Sequence, residues 1–414
     1  LMDAILQNQR VAFSRAGQII LWTLLFVLLV VGLAVGIHAV MAGNTVGMDV
    51  HTFYLAAQNV FLKHQSPYGE DVAVESQLAV FGRLANPDED QMGFSYPIYS
   101  LLPLAPIAHL SFDWVQAIWM AFFMLASVAA MLLVFSRKPL LPALGVLLFY
   151  PFTFGIILGN FVNLLALIVL AATWHIIFKS RPAVKTQVML GMLLAWATIK
   201  PQFIWLFLIL VLMAGFKNRY WPLLISFCAS LVVFFGISFV LLPNWPVLWL
   251  ERVGKYVDYM GHYPNLTLYL NQLRTPEDAQ TLTIALIALL LGVTAWALFT
   301  WWQGRLTSLV LLAWLGIVTY LINPRTVSYT QIAFLIPLLL WAQGQQNQRN
   351  LPVILFYWGS MIFSWAIFIA SRLVNLGPLA EEWRLVVGSV WMFWLLISAP
   401  PRQDLPLAKS TPAF

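Results

Sequence analysis

Charge is scarce in this chain. Lys, Arg, Asp and Glu make up 9% of its 414 residues, whereas 61% are hydrophobic. A soluble globular domain usually carries about 25% charge, so a soluble fold of this length would precipitate. A mean hydropathy of +0.83 points to lipid as the solvent. Cysteine is all but missing: Cys228 stands alone inside the apolar run Leu224–Leu242. That excludes an intrachain disulfide and any cysteine-based metal site. The six histidines show no ligand spacing, so no metal site is expected. Walker A and Rossmann glycine patterns are absent, which argues against a nucleotide motor. The formal charge of +6 would suggest nucleic acid only if the basic residues clustered on a soluble face. They sit instead in short gaps between apolar runs, where they read as topology signals. Membrane lipids are the expected partners, and nucleic acid is not.

Long apolar runs are what the chain has. A spanning helix needs roughly 20 apolar residues. Gln18–Val40, Trp114–Phe135, Leu140–Leu158, Phe161–Phe178, Trp221–Leu242, Leu282–Trp302, Leu306–Ile322, Leu351–Ile369 and Leu385–Ala399 qualify. The first is too long for a signal-peptide core and reads as a retained helix. Val188–Ile199, Phe203–Phe216 and Tyr329–Trp341 are short and would span only with flanking residues or in a thin bilayer. Tyr96–Leu110 is broken by Pro97, Pro103 and Pro106, each of which removes a backbone donor. It reads as a re-entrant or broken segment.

Basic residues favour the cytoplasmic side. Arg10 and Arg15 place the N-terminus there, and the acid-rich segment 41–95 falls outside. Arg137, Lys138, Lys179, Arg181, Lys185, Lys217, Arg219, Arg305 and Arg349 all fit the inside. The expectation is an all-α polytopic membrane protein of about twelve spans. One transmembrane domain would cover residues 1–400, with two long outer loops, about 41–96 and 243–281, carrying interfacial helices. The tail 401–414, rich in Pro, reads as disordered.

The polar residues hardest to explain gather at the outer face. Asp49 follows the first run and opens an amphipathic stretch with Phe53, Ala57, Val60 and Phe61 at helical spacing. It reads as a helix cap or as a general base at the membrane surface. Lys200-Pro201 interrupts a hydrophobic hairpin. Its ammonium either snorkels to water or clamps a phosphate. In Gly159-Asn160-Phe161-Val162-Asn163, the two asparagines share a face at a helix start, as turn and cap or as ligands. Arg325 could hold phosphate bidentately or anchor its helix. His262 and Asn265 lie in the second loop, where Asn265-Leu266-Thr267 matches a glycosylation acceptor weakly. Asp88-Glu89-Asp90 reads as a solvated charge run.

Five signatures, in order, then carry a resemblance. They are Asp49 with Phe53-Tyr54-Leu55-Ala56-Ala57 and Ser66-Pro67-Tyr68; Phe94-Ser95-Tyr96-Pro97; Gly159-Asn160-Phe161-Val162-Asn163; Gly191-Met192-Leu193-Leu194-Ala195 through Ala197-Thr198-Ile199-Lys200-Pro201; and Asn323-Pro324-Arg325 before Ser328-Tyr329 and Pro337. Over roughly 12–340 the chain resembles the GT-C-type membrane glycosyltransferases. Among them it is most similar to the polyprenol-phosphate-mannose-dependent α-mannosyltransferases of family 87. Asn160 stands where that family usually has glutamine, and Thr330-Gln331 where it often has Asp or His-His. The resemblance implies a GT-C bundle in a bacterial plasma membrane, with its active site at the outer face. It implies inverting transfer of mannose or a related sugar from a polyprenyl-phosphate donor to a lipid or glycan acceptor. Asp49 would be the base, and Lys200 and Arg325 the phosphate ligands. His51, Tyr54, Tyr96, Asn160, Asn163, His262, Asn265 and Tyr329 would line the substrates. No cofactor and a monomer are expected. A transporter of lipid-linked sugars would share the broken helices and buried polar groups, but no internal repeat relates the two halves.

Overall fold

The computed structural model describes residues 15–374, apart from 88, 136–139, 180, 261–263, 272–273, 324–327 and 345–350. The candidate span Leu385–Ala399, the tail 401–414, His262 and Arg325 therefore lie outside the described residues. So do Arg10, Arg137, Lys138 and Arg349. The described residues form helices and connecting turns, without a sheet.

Among the described residues, four helices are long and apolar enough to cross a membrane: α1 (Arg15–Met41), α4 (Phe112–Val134), α10 (Trp221–Leu241) and α13 (Pro276–Trp302). Their bounds fall within a few residues of the apolar runs, except that α13 starts six residues before its run. Helices α1, α10 and α13 leave large apolar side chains bare, among them Leu28, Val232 and Ile284. Such surface needs lipid to cover it. The chain is thus an integral membrane protein.

Leu140–Leu158, expected as one span, is two helices, α5 (Leu140–Leu148) and α6 (Tyr150–Leu158), bent by 74°. The cause is Pro151. Its ring would strike the carbonyl four residues back and supplies no N–H to it. That carbonyl is Leu147's, and the Thr153 hydroxyl donates to it instead. The break is tied down by α16 (Leu351–Leu373), whose Ser364 hydroxyl accepts from the Tyr150 N–H at 3.2 Å.

The other runs form shorter helices: α7 (Val162–Thr173) with a π turn at Trp174–Phe178, α8 (Val184–Ala197), α9 (Pro201–Lys217), α14 (Ser308–Ile322) and α15 (Leu335–Gly344). The proline-rich Tyr96–Leu110 contains a 3₁₀ helix, Ile98–Ile107, rather than a continuous α-helix. The first long loop carries α2 (Met48–Phe61) and α3 (Glu70–Phe81). The second carries α11 (Trp245–Met260) and α12 (Asn265–Leu270). A second 3₁₀ helix, Ser328–Phe334, precedes α15.

Both loops pack at the same end of the bundle. The Trp249 indole donates to the Ser95 carbonyl at 3.1 Å. Arg252 and Lys255 pair with Glu70 at 3.1 and 2.6 Å. The Arg252 guanidinium lies on Gly93, where a Cβ would fall 1.6 Å from it, so a larger residue there would push the guanidinium aside.

Gly159, between α6 and α7, is a further position that needs glycine. Its φ of +74° is left-handed, and an added Cβ would fall 2.6 Å from the Cβ of Val50. Gly159→Ala is expected to destabilise by about 2–5 kcal/mol, combining left-handed strain and overpacking. Thermal unfolding in detergent measures it. An unchanged midpoint would mean that α2 does not rest on this turn.

Candidate active site

The site is built where α2 begins. The sequence puts Asp49 at the N-terminus of this helix, as a cap or as a base. The structure places it one step further in: Gly47 is the N-cap, and Asp49 lies in the first turn. The hydrogen bonding of the preceding turn falls to Gln116 on α4. Its Oε1 accepts from the Val46 and Gly47 N–H groups at 3.2 and 3.1 Å, and its Nε2 donates to the Asn44 carbonyl at 2.8 Å. The Asp49 carboxylate is left for other partners.

Its partner is Asn160. The Nδ2 of Asn160 donates to Asp49 Oδ2 at 2.7 Å, while its Oδ1 accepts from the Val162 N–H at 2.9 Å. One amide thus caps α7 and orients the carboxylate. The contact exists because Gly159 lets Val50 settle on the α6–α7 turn, and because the Trp119 indole donates to the Gly159 carbonyl at 3.0 Å.

Lys200 completes the centre. Pro201 at the start of α9 disfavours a helical backbone in the residue before it, so Lys200 takes an extended φ of −130°. It is 8% exposed, which rules out snorkelling. Its Nζ sits 5.3 Å from the centre of the Tyr329 ring, a cation–π geometry, and within electrostatic reach of Asp49. Asp49 itself is half-buried. Loss of solvent raises its carboxyl to about 6, against the opposing effects of the Asn160 hydrogen bond and the Lys200 charge.

Two residues that sequence reasoning did not select join this group. By sequence Asp90 belongs to a solvated charge run. Glu89 does meet Arg83 at the surface, at 2.7 Å, but Asp90 turns inward and its charge bears on Asp49, Tyr256 and Tyr329. Its Oδ1 also accepts from the Met92 N–H at 2.8 Å. The apolar Met92-Gly93-Phe94 that follows was the available signal that the loop dives back. Tyr256 arrives on α11, where Trp245, Trp249, Arg252 and Tyr256 recur at helical spacing. That stripe was legible. Burial and the charges of Asp90 and Asp49 raise its phenol.

The remaining candidates divide. Tyr96 stands against Phe53 at 4.6 Å, one helical turn from Asp49, and couples to Tyr329. It belongs to the centre. Asn163 does not: its Nδ2 donates to the Phe152 carbonyl at 2.7 Å, and its side chain fills the space above Gly155. It clamps α6 to α7. His51 and Tyr54 face away from the Asp49 side of α2. His51 meets Ser76 at 3.4 Å and Phe112, and burial pulls its imidazole down to about 4. The Tyr54 hydroxyl donates to the Leu110 carbonyl at 3.0 Å. Asn265 braces α12 on the end of α14, its Nδ2 donating to the Tyr320 carbonyl at 2.9 Å. Asn265 and Thr267 are both buried, so the glycosylation match is not an accessible acceptor. Among the described residues no group of three or more His, Cys, Asp or Glu could hold a metal.

A family model described as Glycosyltransferase family 87 matches residues 94–324, more than half of the 414. The chain belongs to glycosyltransferase family 87. It is therefore a membrane glycosyltransferase, a transferase that works on lipid or glycan substrates. No curated protein and no solved structure matches it. The family 87 match includes Tyr96, Asn160, Lys200 and Tyr256, but Asp49 and Asp90 precede it and Tyr329 follows it. Those three are tied to the matched core by the fold.

Proposed function

We propose that this chain transfers a sugar from a polyprenyl-phosphate donor to a hydroxyl of a lipid or glycan acceptor, with inversion at the anomeric carbon. The observation that carries the reading is the Asp49 carboxylate, oriented by Asn160 and facing the ammonium of Lys200. The scaffold is a GT-C bundle of about twelve spans, counted as apolar runs of spanning length. The basic loops support an outer-face position for the Asp49 end, and the membrane in this reading is a bacterial plasma membrane.

In the step itself, Asp49 accepts the proton of the acceptor hydroxyl as that oxygen attacks the anomeric carbon. The bond from that carbon to the phosphate oxygen breaks, and the polyprenyl phosphate leaves with the electron pair. A fixed cation such as Lys200 stabilises charge growing on that phosphate, and Arg325 is a second cation for the same role. The phenols of Tyr96, Tyr256 and Tyr329 supply hydrogen bonds to the sugar. The chain acts as a monomer and needs no metal or other cofactor.

The test is transfer by purified protein in detergent, given a labelled polyprenyl-phosphate sugar and a lipid acceptor. Transfer is expected to persist with a chelator present. The base works only ionised. Because burial raises the Asp49 carboxyl to about 6, activity should fall as pH drops through about 6 and level off above 7. Use of a nucleotide sugar in place of the lipid donor would overturn the donor assignment. A rate unchanged between pH 5 and 7 would overturn Asp49 as base.

A further inference from the structure

A second site lies at the far end of α9 from Lys200. The helix runs 17 residues from Pro201 to Lys217, about 25 Å at the usual rise. There the ends of α9, α10 and α13 form an open cavity of about 460 Å³, lined by Phe216, Lys217, Arg219, Trp221 and Trp302. Two of the five residues are cationic and three aromatic, and none is acidic.

The cations are held differently. Lys217 Nζ donates to the Trp302 carbonyl at 2.7 Å and lies 5.2 and 5.6 Å from the Trp301 and Trp302 rings. It closes the C-terminal end of α13, a structural duty. Arg219 has no such duty. It follows α9 with a φ of +58°, left-handed backbone that favours glycine and is strained in arginine. Its side chain is exposed at the rim of the cavity, with Arg305, also exposed, on the next turn of chain beyond Trp302.

The cavity opens onto apolar surface. Trp221 and Ile225, one turn apart on α10, are 48% and 66% exposed. Trp296 and Phe299, on the last turns of α13, are 64% and 57% exposed. A ligand here meets cations at one end and bare hydrocarbon-facing side chains at the other. That is the pattern of an amphiphile with a negative head. Basic pockets between membrane helices hold anionic headgroups by the same chemistry.

We propose that this cavity binds the phosphate-bearing headgroup of an anionic phospholipid, with its acyl chains lying along α10 and α13. The site is separate from the sugar-transfer centre and does not depend on how that centre works. Arg219 is the headgroup ligand, and Lys217 and Arg305 set the positive field around it.

The test is lipid retention by the full chain purified in detergent, read by native mass spectrometry with phosphatidylglycerol and phosphatidylcholine of identical chains. Phosphatidylglycerol should be retained in preference. Arg219→Gly removes the guanidinium and suits the left-handed backbone, so its unfolding midpoint should equal or exceed that of the parent. Its preference for the anionic lipid should drop about tenfold, the effect of losing one charge-assisted contact. Arg219→Gln keeps the backbone preference as it is and should show the same loss, while Arg219→Lys should retain most of the binding. Equal retention of both lipids would overturn the proposal, as would unchanged preference in Arg219→Gly and Arg219→Gln. Displacement of the lipid by millimolar inorganic phosphate would make this a soluble-anion site instead, and would also overturn it.

Discussion

Asp49→Asn should fold, insert and bind donor normally yet transfer almost no sugar. Loss of a general base costs roughly 10²–10⁴-fold in rate. The substitution changes little else. Asn160 can still donate to an oxygen at that position, and the helix start is held by Gln116 rather than by Asp49. Stability in detergent should stay close to that of the parent, because Asp49 caps nothing. Single-turnover transfer with saturating donor is the measurement. Near-parental turnover would remove Asp49 from the chemistry. Asp90 would then be the next carboxylate to try, since His51 is turned away and neutral, and Asp258 is exposed.

Lys200→Ala carries the second large effect, and it acts twice. The variant loses the cation proposed to grip the leaving phosphate, worth about 10²–10³-fold by analogy with other preorganised groups that stabilise developing negative charge. It also removes the charge that favours ionised Asp49. The carboxyl should therefore rise further, and the acid limb of the pH profile should move to higher pH. Lys200→Arg should keep the pH profile and part of the rate. Donor titration separates the two roles. If Lys200→Ala binds donor as tightly as the parent and only the pH profile moves, Lys200 is the counter-ion of Asp49 and not a phosphate ligand.

The centre was only partly legible in the sequence. Asp49, Asn160 and Lys200 stood out because each is a polar group at the edge of an apolar run, where a charge or amide needs a reason. Tyr96 and Tyr329 entered through the family resemblance, and both lie at the centre. Asn163 looked equivalent to Asn160 because three residues along a helix share a face. Asn160, however, precedes α7, so the two side chains diverge, one to Asp49 and the other to Phe152. His51 and Tyr54 were close to Asp49 in sequence but not in direction. An offset of two or of five residues along a helix turns a side chain well away from the starting face, whereas three or four bring it back.

Hydrophobic runs are a local property, and a helix satisfies its own backbone wherever it lies. The sequence by itself therefore determined that the chain is a helical membrane protein, roughly where α1, α4, α10 and α13 begin and end, and that Pro97, Pro103 and Pro106 bar a regular helix from Tyr96–Leu110. The tertiary structure alone decided which polar groups meet. Asp49 and Asn160 are 111 residues apart, and Arg252 and Glu70 are 182 apart. Such pairings depend on how two loops settle on one end of the bundle. They also depend on the space that Gly93 and Gly159 leave open. Asp90 and Glu89 are neighbours of like composition, and no local pattern separates them. One meets Arg83 in water and the other turns toward Asp49, because the loop from 90 to 94 packs against α2, where the Thr52 hydroxyl donates to the Met92 carbonyl.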